Sequence, residues 1–237
     1  ANSGGFGAVF RRLETAGIGD ARLLPAPCAP LAAPVMRLSV RPVALSMLLP
    51  CLLAGAAQAA PLTVSVADAS GRPLAGAVVA VEIGGAARTA AAGTRAEVVQ
   101  RQRNFDPGVL VVQTGTQVDF PNQDTVRHHV YSFSPVKTFE IKLYAGRPAA
   151  PVLFDRAGVI TLGCNIHDQM IAHVVVVDTP LFGRTDAAGR LVLEVPAGEH
   201  RLRAWHPDMR EGLDLQAQPL RVGTSPVAAA VRLPVQP

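Results

Sequence analysis

Four side chains in this sequence can together hold a soft metal ion. Cys164, His167 and Met170 follow one another at C-x2-H-x2-M spacing, and His128 lies well upstream. One thiolate, two imidazoles and one thioether form the trigonal His2Cys set, with a weak axial Met, that binds copper for electron transfer. Soft sulfur favours Cu⁺ and imidazole suits both oxidation states. These residues therefore predict a site for one copper ion (Cu²⁺/Cu⁺) that exchanges single electrons.

A predicted export signal follows the first 35 residues. Residues 36–59 hold a short basic start, an apolar stretch and Ala57-Gln58-Ala59, which has the form of a signal-peptidase site. We predict cleavage after Ala59 and a periplasmic location, with residues 1–35 as a non-native or wrongly assigned extension. The apolar stretch is short for a membrane span and contains Pro50. We therefore expect no span in the mature chain, and an uncleaved anchor is the alternative.

The predicted cut also changes the charge and the cysteine count. Five of the 22 basic and two of the 18 acidic residues precede it, which leaves a net charge of +1. No basic stripe for nucleic acid remains. Cys28 and Cys51 also precede the cut, so Cys164 has no disulfide partner in the mature chain. A lone thiol in an oxidising compartment is a liability unless something occupies it, and this favours the metal site.

Two other interpretations of Cys164 stay open at this stage. Zinc also binds thiolate and imidazole, but structural zinc normally takes several thiolates. A nucleophilic cysteine paired with histidine needs an open, polarised cleft, and no known catalytic cysteine motif surrounds this residue. We predict that the protein is not an enzyme.

The composition favours an all-β chain. The sequence is 49% hydrophobic but only 5% aromatic, with 20 prolines and 21 glycines that separate short valine-rich runs. In the central part we expect strands at 109–112, 117–120, 130–133, 139–143, 152–154, 159–162 and 172–177. The run from Cys164 to Met170 then forms the loop between two neighbouring strands. His128 must reach the same edge from a separate loop.

Two segments resemble the cupredoxins, the type 1 blue-copper proteins. The run from Phe120 to Val130 resembles their first-ligand region, and Gly163–Met170 resembles the compact ligand loop of amicyanin-like members. With Trp205-His206-Pro207, these segments look closest to the plastocyanin-like periplasmic proteins called methylamine-utilisation proteins. The resemblance implies a Greek-key sandwich, a copper ion held by the four residues named above, and an unidentified periplasmic redox partner.

One residue departs from that family pattern. Many cupredoxins have Asn where this chain has His129, so His129 is either a supporting residue or an alternative ligand. The resemblance implies that Asn122 braces the site, and the backbone N–H of Asn165 is a candidate donor to the Cys164 sulfur. His173 is a further candidate ligand, although a solvent-facing position is the simpler expectation.

The flanking segments are similar to the two halves of a carboxypeptidase-regulatory-like, transthyretin-type β-sandwich. Neither half has enough strands to bury a core alone, so we expect one small sandwich interrupted by the cupredoxin-like part. The expected organisation is an extension at 1–35, a signal peptide at 36–59, a first half at 60–96, a cupredoxin domain at 97–180, a second half at 181–222 and a tail at 223–237. His200 and His206 are expected at the surface.

These patterns predict a periplasmic copper protein that carries single electrons between redox partners. Ile166, in the ligand loop, is a candidate for the apolar docking surface. Two alternatives remain: a copper-handling or storage protein, and an extracellular β-sandwich interaction module with a vestigial site.

Overall fold

The computed structural model describes residues 59–210 and 212–236, and every regular element in this part is a β-strand. The strands are β1 Ala59–Asp68, β2 Val78–Ile83, β3 Arg95–Glu97, β4 Val99–Arg101, β5 Asn104–Asp106, β6 Val109–Gln113, β7 Thr116–Asp119, β8 His128–Ser132, β9 Phe139–Tyr144, β10 Val152–Phe154, β11 Gly158–Gly163, β12 Ile171–Val177, β13 Phe182–Arg184, β14 Arg190–Pro196, β15 Gly198–Trp205, β16 Gln216–Val222 and β17 Val227–Leu233. The predicted all-β class is confirmed.

The predicted extension and signal peptide lie almost wholly outside the described residues. The predicted cleavage site borders β1, since Ala59 is the first residue of that strand. Within the described ranges, no helix is long and apolar enough to cross a membrane.

Two larger sheets and the two-stranded sheet β4-β5 form the central part of the chain. One of the larger sheets has the strand order β6-β12-β11-β8-β9 and the other the order β10-β7-β3. Between these two lies a hydrophobic core that includes Val118, Phe120, Phe154, Ile160 and Leu162. The same core contains Cys164 and Met170, so the predicted ligand loop is anchored in packed apolar side chains.

Two further sheets combine strands from both sides of the central part. Their orders are β14-β1-β17 and β13-β2-β15-β16. A second core lies among their strands and includes Leu62, Val79, Leu202 and Leu220. Strand β1 is in the middle of its sheet, antiparallel to β14 and parallel to β17.

Strand β12 contributes to both cores. Its side chains alternate, so that Val174 and Val176 belong to the central core while Val175 and Val177 belong to the flanking one. A strand that is covered on both faces reads as a continuous apolar run, which explains the four consecutive valines. The strand that leaves the ligand loop is therefore held firmly on both sides.

The seven strands expected between 109 and 177 are present with boundaries shifted by two residues at most. The expected tail at 223–237 is wrong as an irregular segment, because it contains β17, which pairs in parallel with β1 over Leu62–Asp68. Alternate side chains of β17, Val231 and Leu233, are buried. The three alanines at 228–230, before these two residues, hide the alternation in the sequence. The other domain boundaries stay predictions.

Candidate metal centre

The loop between β11 and β12 carries three of the predicted ligands. Cys164 follows the last residue of β11, and Met170 precedes the first residue of β12. Within the loop, the Met170 N–H donates to the His167 carbonyl at 3.0 Å. Because β11 and β12 are paired up to Gly163 and Ile171, both ends of the loop are fixed by the strand ladder.

The structure brings His128 to this loop. His128 is the first residue of β8, the strand that pairs with β11 between Tyr131 and Gly163. Among the described residues, one potential ligand atom each from His128, Cys164 and His167 lies within 4.8 Å of the others. The two imidazole rings have centroids 5.1 Å apart and meet edge to face.

The nitrogen atoms of these two histidines fit a metal. In the described part of the chain, Nδ1 of His128 and Nδ1 of His167 are buried without a hydrogen-bond partner, as is Nδ1 of the adjacent His129. Buried polar atoms are normally satisfied, so two orphaned ring nitrogens beside one thiol require an explanation. A metal ion is such a partner, because imidazole and thiolate are ligands of soft and borderline cations.

The two sulfur-bearing residues are shielded from water. Cys164 is a free cysteine with 4% of its surface exposed, and Met170 is 1% exposed. Both belong to the central core. A donor set of two imidazoles and one thiol suits copper, and Cys164 would bind as the thiolate that a metal ion deprotonates. Met170 is in the same core, and its role as a fourth ligand stays a prediction.

Asp124 lies behind His128. Its Oδ2 is 2.7 Å from Nε2 of His128, whose side chain is fully buried. Burial works to raise the pKa of Asp124, but the hydrogen bonds from the Arg103 amide, His128 and the Gln102 amide outweigh it and hold the pKa below its usual value. The carboxylate is therefore ionised at neutral pH.

Asn122 and Tyr144 make hydrogen bonds to backbone carbonyl groups near the segment that precedes His128. Nδ2 of Asn122 donates to the carbonyls of Val126 and Tyr144, at 2.9 and 3.0 Å. The Tyr144 hydroxyl donates to the Phe120 carbonyl. Burial raises the pKa of Tyr144 to about 12, and the nearby Cys164 adds to the shift. Tyr144 therefore remains a neutral donor, and Asn122 braces the chain that leads to His128.

The remaining candidates take other positions. His129 binds Oε1 of Glu140 through Nε2 at 2.9 Å and is outside the three-residue group. His173 is half-buried, with its ring centroid 5.0 Å from that of Trp205, and it too is outside the group. Asn165 is exposed beside Cys164, and its role as a donor stays a prediction.

Two histidines expected at the surface are buried. His200 and His206 are 9% and 7% exposed, and their Nε2 atoms approach the carbonyls of Pro196 and Ala75. Carbonyl partners within the fold compensate the loss of water. Asp124 was not among the candidate residues that the sequence suggested. An acidic residue four positions before a histidine is the only signal of it in the sequence, and this spacing is common in turns.

No protein-family model matches the chain, and no curated protein matches it. Solved structures do. A Cu-containing nitrite reductase from Thermus scotoductus SA-01 aligns with 39% of this chain at 21% identity and a TM-score of 0.34. The purple cupredoxin from Nitrosopumilus maritimus aligns with 34% at 20% identity and a TM-score of 0.32. A reduced variant of amicyanin aligns with 41% at 19% identity and a TM-score of 0.33.

The matched parts of these proteins differ in extent. The alignment covers 98% of the purple cupredoxin and 97% of the amicyanin variant, but only 26% of the nitrite reductase. The chain therefore matches about a quarter of that enzyme's length. At these TM-scores the similarities assign neither a family nor an activity to this chain.

Proposed function

We propose that this chain is a periplasmic type 1 copper protein that carries single electrons between redox partners. His128, Cys164 and His167 hold one copper ion, and Met170 is a weaker fourth ligand. Copper in such a site supplies a reversible one-electron couple. No substrate is transformed, so we propose a carrier and not an enzyme.

The convergence of three donor atoms carries this proposal. His128 comes from one strand and Cys164 and His167 from a distant loop, yet their donor atoms lie within 4.8 Å of one another. The Nδ1 atoms of both histidines are also buried and unpaired, a feature that His129 shares outside the group, so the convergence of the three donors is the main support. A buried free thiol beside them completes a set that favours copper over a hard cation.

The residues have distinct tasks. His128 is fully buried and fixed from behind by Asp124, which keeps its ring in one orientation. Met170 and the central core exclude water from the thiol. Rigid ligands suit electron transfer, since little rearrangement then accompanies a change of charge.

The loop that carries His167 also reaches the surface. Ile166 is 46% exposed and Val126, in the loop before His128, is 38% exposed. Their exposure supports an apolar contact with an unidentified redox partner, as the sequence suggested for Ile166.

The structure offers less support for the copper-delivery alternative than the sequence pattern did. That support came from two extra histidines near the site. His129 instead contacts Glu140, and His173 packs against Trp205. Neither belongs to the three-residue group.

The test is a visible and paramagnetic-resonance spectrum of the protein after copper loading, beside that of Cys164→Ser. We expect an intense sulfur-to-copper absorption in the wild type and its loss in the variant. Met209→Leu is a matched control, because Met209 is buried in the flanking core away from the ligands. Its spectrum should equal that of the wild type.

Two outcomes would contradict the proposal. The first is a wild type that binds copper with no thiolate absorption, and the second is one that prefers zinc when both metals compete. A redox titration then separates carrier from delivery protein. A reversible couple with an unchanged spectrum supports the carrier, whereas rapid loss of Cu⁺ to a chelator supports delivery.

A further inference from the structure

We propose, building on the function proposed above, that Asp124 is a positioning residue, held by the amides of the Gln102–Arg103 turn, that fixes the tautomer of His128. It keeps the proton on Nε2, so that Nδ1 is the atom offered to the metal. The β4–β5 hairpin, which contains no ligand, thereby becomes part of the metal centre.

The carboxylate of Asp124 accepts hydrogen bonds from the hairpin amides and also contacts His128. Its Oδ1 accepts the Gln102 N–H at 2.6 Å, and its Oδ2 accepts the Arg103 N–H at 2.9 Å. Nε2 of His128 lies 2.7 Å from Oδ2. Because both oxygens of this carboxylate already accept backbone amides, it is arranged as an acceptor, and the hydrogen between it and His128 is placed on Nε2. In a neutral imidazole the lone pair is then on Nδ1.

The environment of Nδ1 agrees with that assignment. Within the described residues, Nδ1 of His128 is buried and has no donor to accept from and no acceptor to donate to. A proton placed there would be buried without a partner, which is costly. The lone pair on Nδ1 is then available to a metal held with Cys164 and His167, the other members of the three-residue group.

The turn that holds Asp124 has an unusual backbone. Gln102 and Arg103 have φ angles of 53° and 55°, in the left-handed region that few non-glycine residues adopt. They form the two-residue connection between β4 and β5. A two-residue hairpin connection of this type requires positive φ at both residues, which Asn or Gly usually supplies. Here the two consecutive amides point at one carboxylate, which stabilises the turn.

Asp124 is itself held in place by Asn122. The Asp124 N–H donates to Oδ1 of Asn122 at 2.9 Å. The neighbouring Gln123 N–H donates to the Gln100 carbonyl in β4 at 2.8 Å. Hydrogen bonds at Gln123 and Asp124 therefore link the segment between Pro121 and His128 to the β4–β5 hairpin. A shift of the hairpin would move the carboxylate and, through it, the His128 ring.

A carboxylate on the outer nitrogen of a ligating histidine has a known type of effect. It fixes the ring, raises the basicity of the ligating nitrogen, and its loss typically lowers metal affinity by about 10- to 100-fold. We expect a loss in that range for Asp124→Asn, because an amide offers one acceptor oxygen where the carboxylate offers two.

The experiment uses metal-free and copper-loaded protein. The tautomer of His128 in the metal-free wild type is read from long-range ¹H–¹⁵N NMR correlations, and Cu⁺ affinity from competition with a chelator. We expect the Nε2–H tautomer in the wild type, a mixture in Asp124→Asn, and the affinity loss given above. Asp186→Asn is the matched control, since Asp186 also accepts two backbone amides in a turn but contacts no histidine.

Each result decides the matter. An Nδ1–H tautomer in the wild type overturns the proposal without any variant, so misfolding of Asp124→Asn cannot obscure the answer. An unchanged tautomer in a folded Asp124→Asn, or an affinity loss no larger than that of Asp186→Asn, also overturns it. If the wild type has the Nε2–H tautomer but binds no Cu⁺, the proposed function fails while the role of Asp124 stands.

Discussion

The ring of Tyr131 lies directly against Gly163, the residue before Cys164. A Cβ atom added at Gly163 would be 2.7 Å from Cζ of Tyr131 and 2.8 Å from its hydroxyl oxygen. The two residues are also register partners between β8 and β11. The strand that begins at His128 and the strand that ends just before Cys164 therefore approach each other at a point where a side chain on residue 163 would displace the Tyr131 ring.

Gly163→Ala should consequently destabilise the protein. The methyl group forces the Tyr131 ring to move, and overpacking of this kind costs about 1–3 kcal/mol. Chemical denaturation measures the free energy of unfolding. Gly223→Ala is the control, since no atom lies within 4 Å of the added methyl group. The double variant with Tyr131→Leu should recover most of the loss, and a failure to recover would place the cause elsewhere.

Met170→Leu should alter the metal centre more than the fold. Leucine replaces methionine at nearly constant volume, and such swaps usually cost less than about 1.5 kcal/mol. The thioether is lost, so the reduction potential of the copper-loaded protein should shift, because the weak ligand tunes it. Cyclic voltammetry measures the potential and thermal unfolding the stability. Met209→Leu should leave the potential unchanged, although it loses the sulfur that accepts the His206 N–H and so loses some stability. An equal potential in both variants would remove Met170 from the ligand set.

Asp68 should make stability depend on pH in the acid range. The hydrogen bond from the Ser70 hydroxyl, the hydrogen bond from the Arg72 amide and the positive charge of Arg72 outweigh the opposing effect of burial. Together they lower the pKa of Asp68 from 3.8 to about 2. A depressed pKa in the folded state stabilises the protein above the unfolded value, and the contribution is lost as pH falls from 3.8 towards 2. At neutral pH, Asp68→Asn should therefore be less stable than the wild type.

The measurement is chemical denaturation of both proteins at several pH values. The difference between them should narrow as the pH falls through that window. Ser70→Ala removes the largest contribution alone and should show a smaller difference with the same pH dependence. If the difference in free energy of unfolding stays constant with pH, Asp68→Asn is destabilised for a reason unrelated to the carboxylate charge.

The segment 60–100 should not fold alone. Its β1 is paired with β14 and β17, and its β2 with β13 and β15, and all four partners lie beyond residue 180. Without them the apolar faces of β1 and β2 have nothing to pack against. Far-ultraviolet circular dichroism of this fragment should match that of an unfolded chain, while the whole chain gives a β spectrum. A folded fragment would contradict a single sandwich built from both flanks.

The sequence predicted the central strands well because valine runs and turn residues mark them clearly. It predicted that His128 and the loop at Cys164 meet, and the structure brings them together. It gave no indication of β17, because β propensity in a strand depends on its neighbours and alanine carries little of it. Strand β17 exists because β1 offers it a pairing edge.

Asp124 was missed for a different physical reason. Its role depends on the left-handed conformations of Gln102 and Arg103, and neither residue type is typical of positive φ in a sequence. The buried positions of His200 and His206 were missed likewise, because carbonyl groups of residues elsewhere in the chain satisfy them. Interactions that join separate turns are set by tertiary structure.

The central place of β1 between β14 and β17 has a consequence for how the chain acquires its fold. During synthesis β1 emerges long before either partner, so its hydrogen-bonding edges stay open until the last strands have been made. Open edges invite pairing with other chains. Pairings between distant segments also slow folding, since a large loop must close first. A chaperone that keeps the nascent chain extended would therefore protect this protein more than one whose first strand is part of a local hairpin.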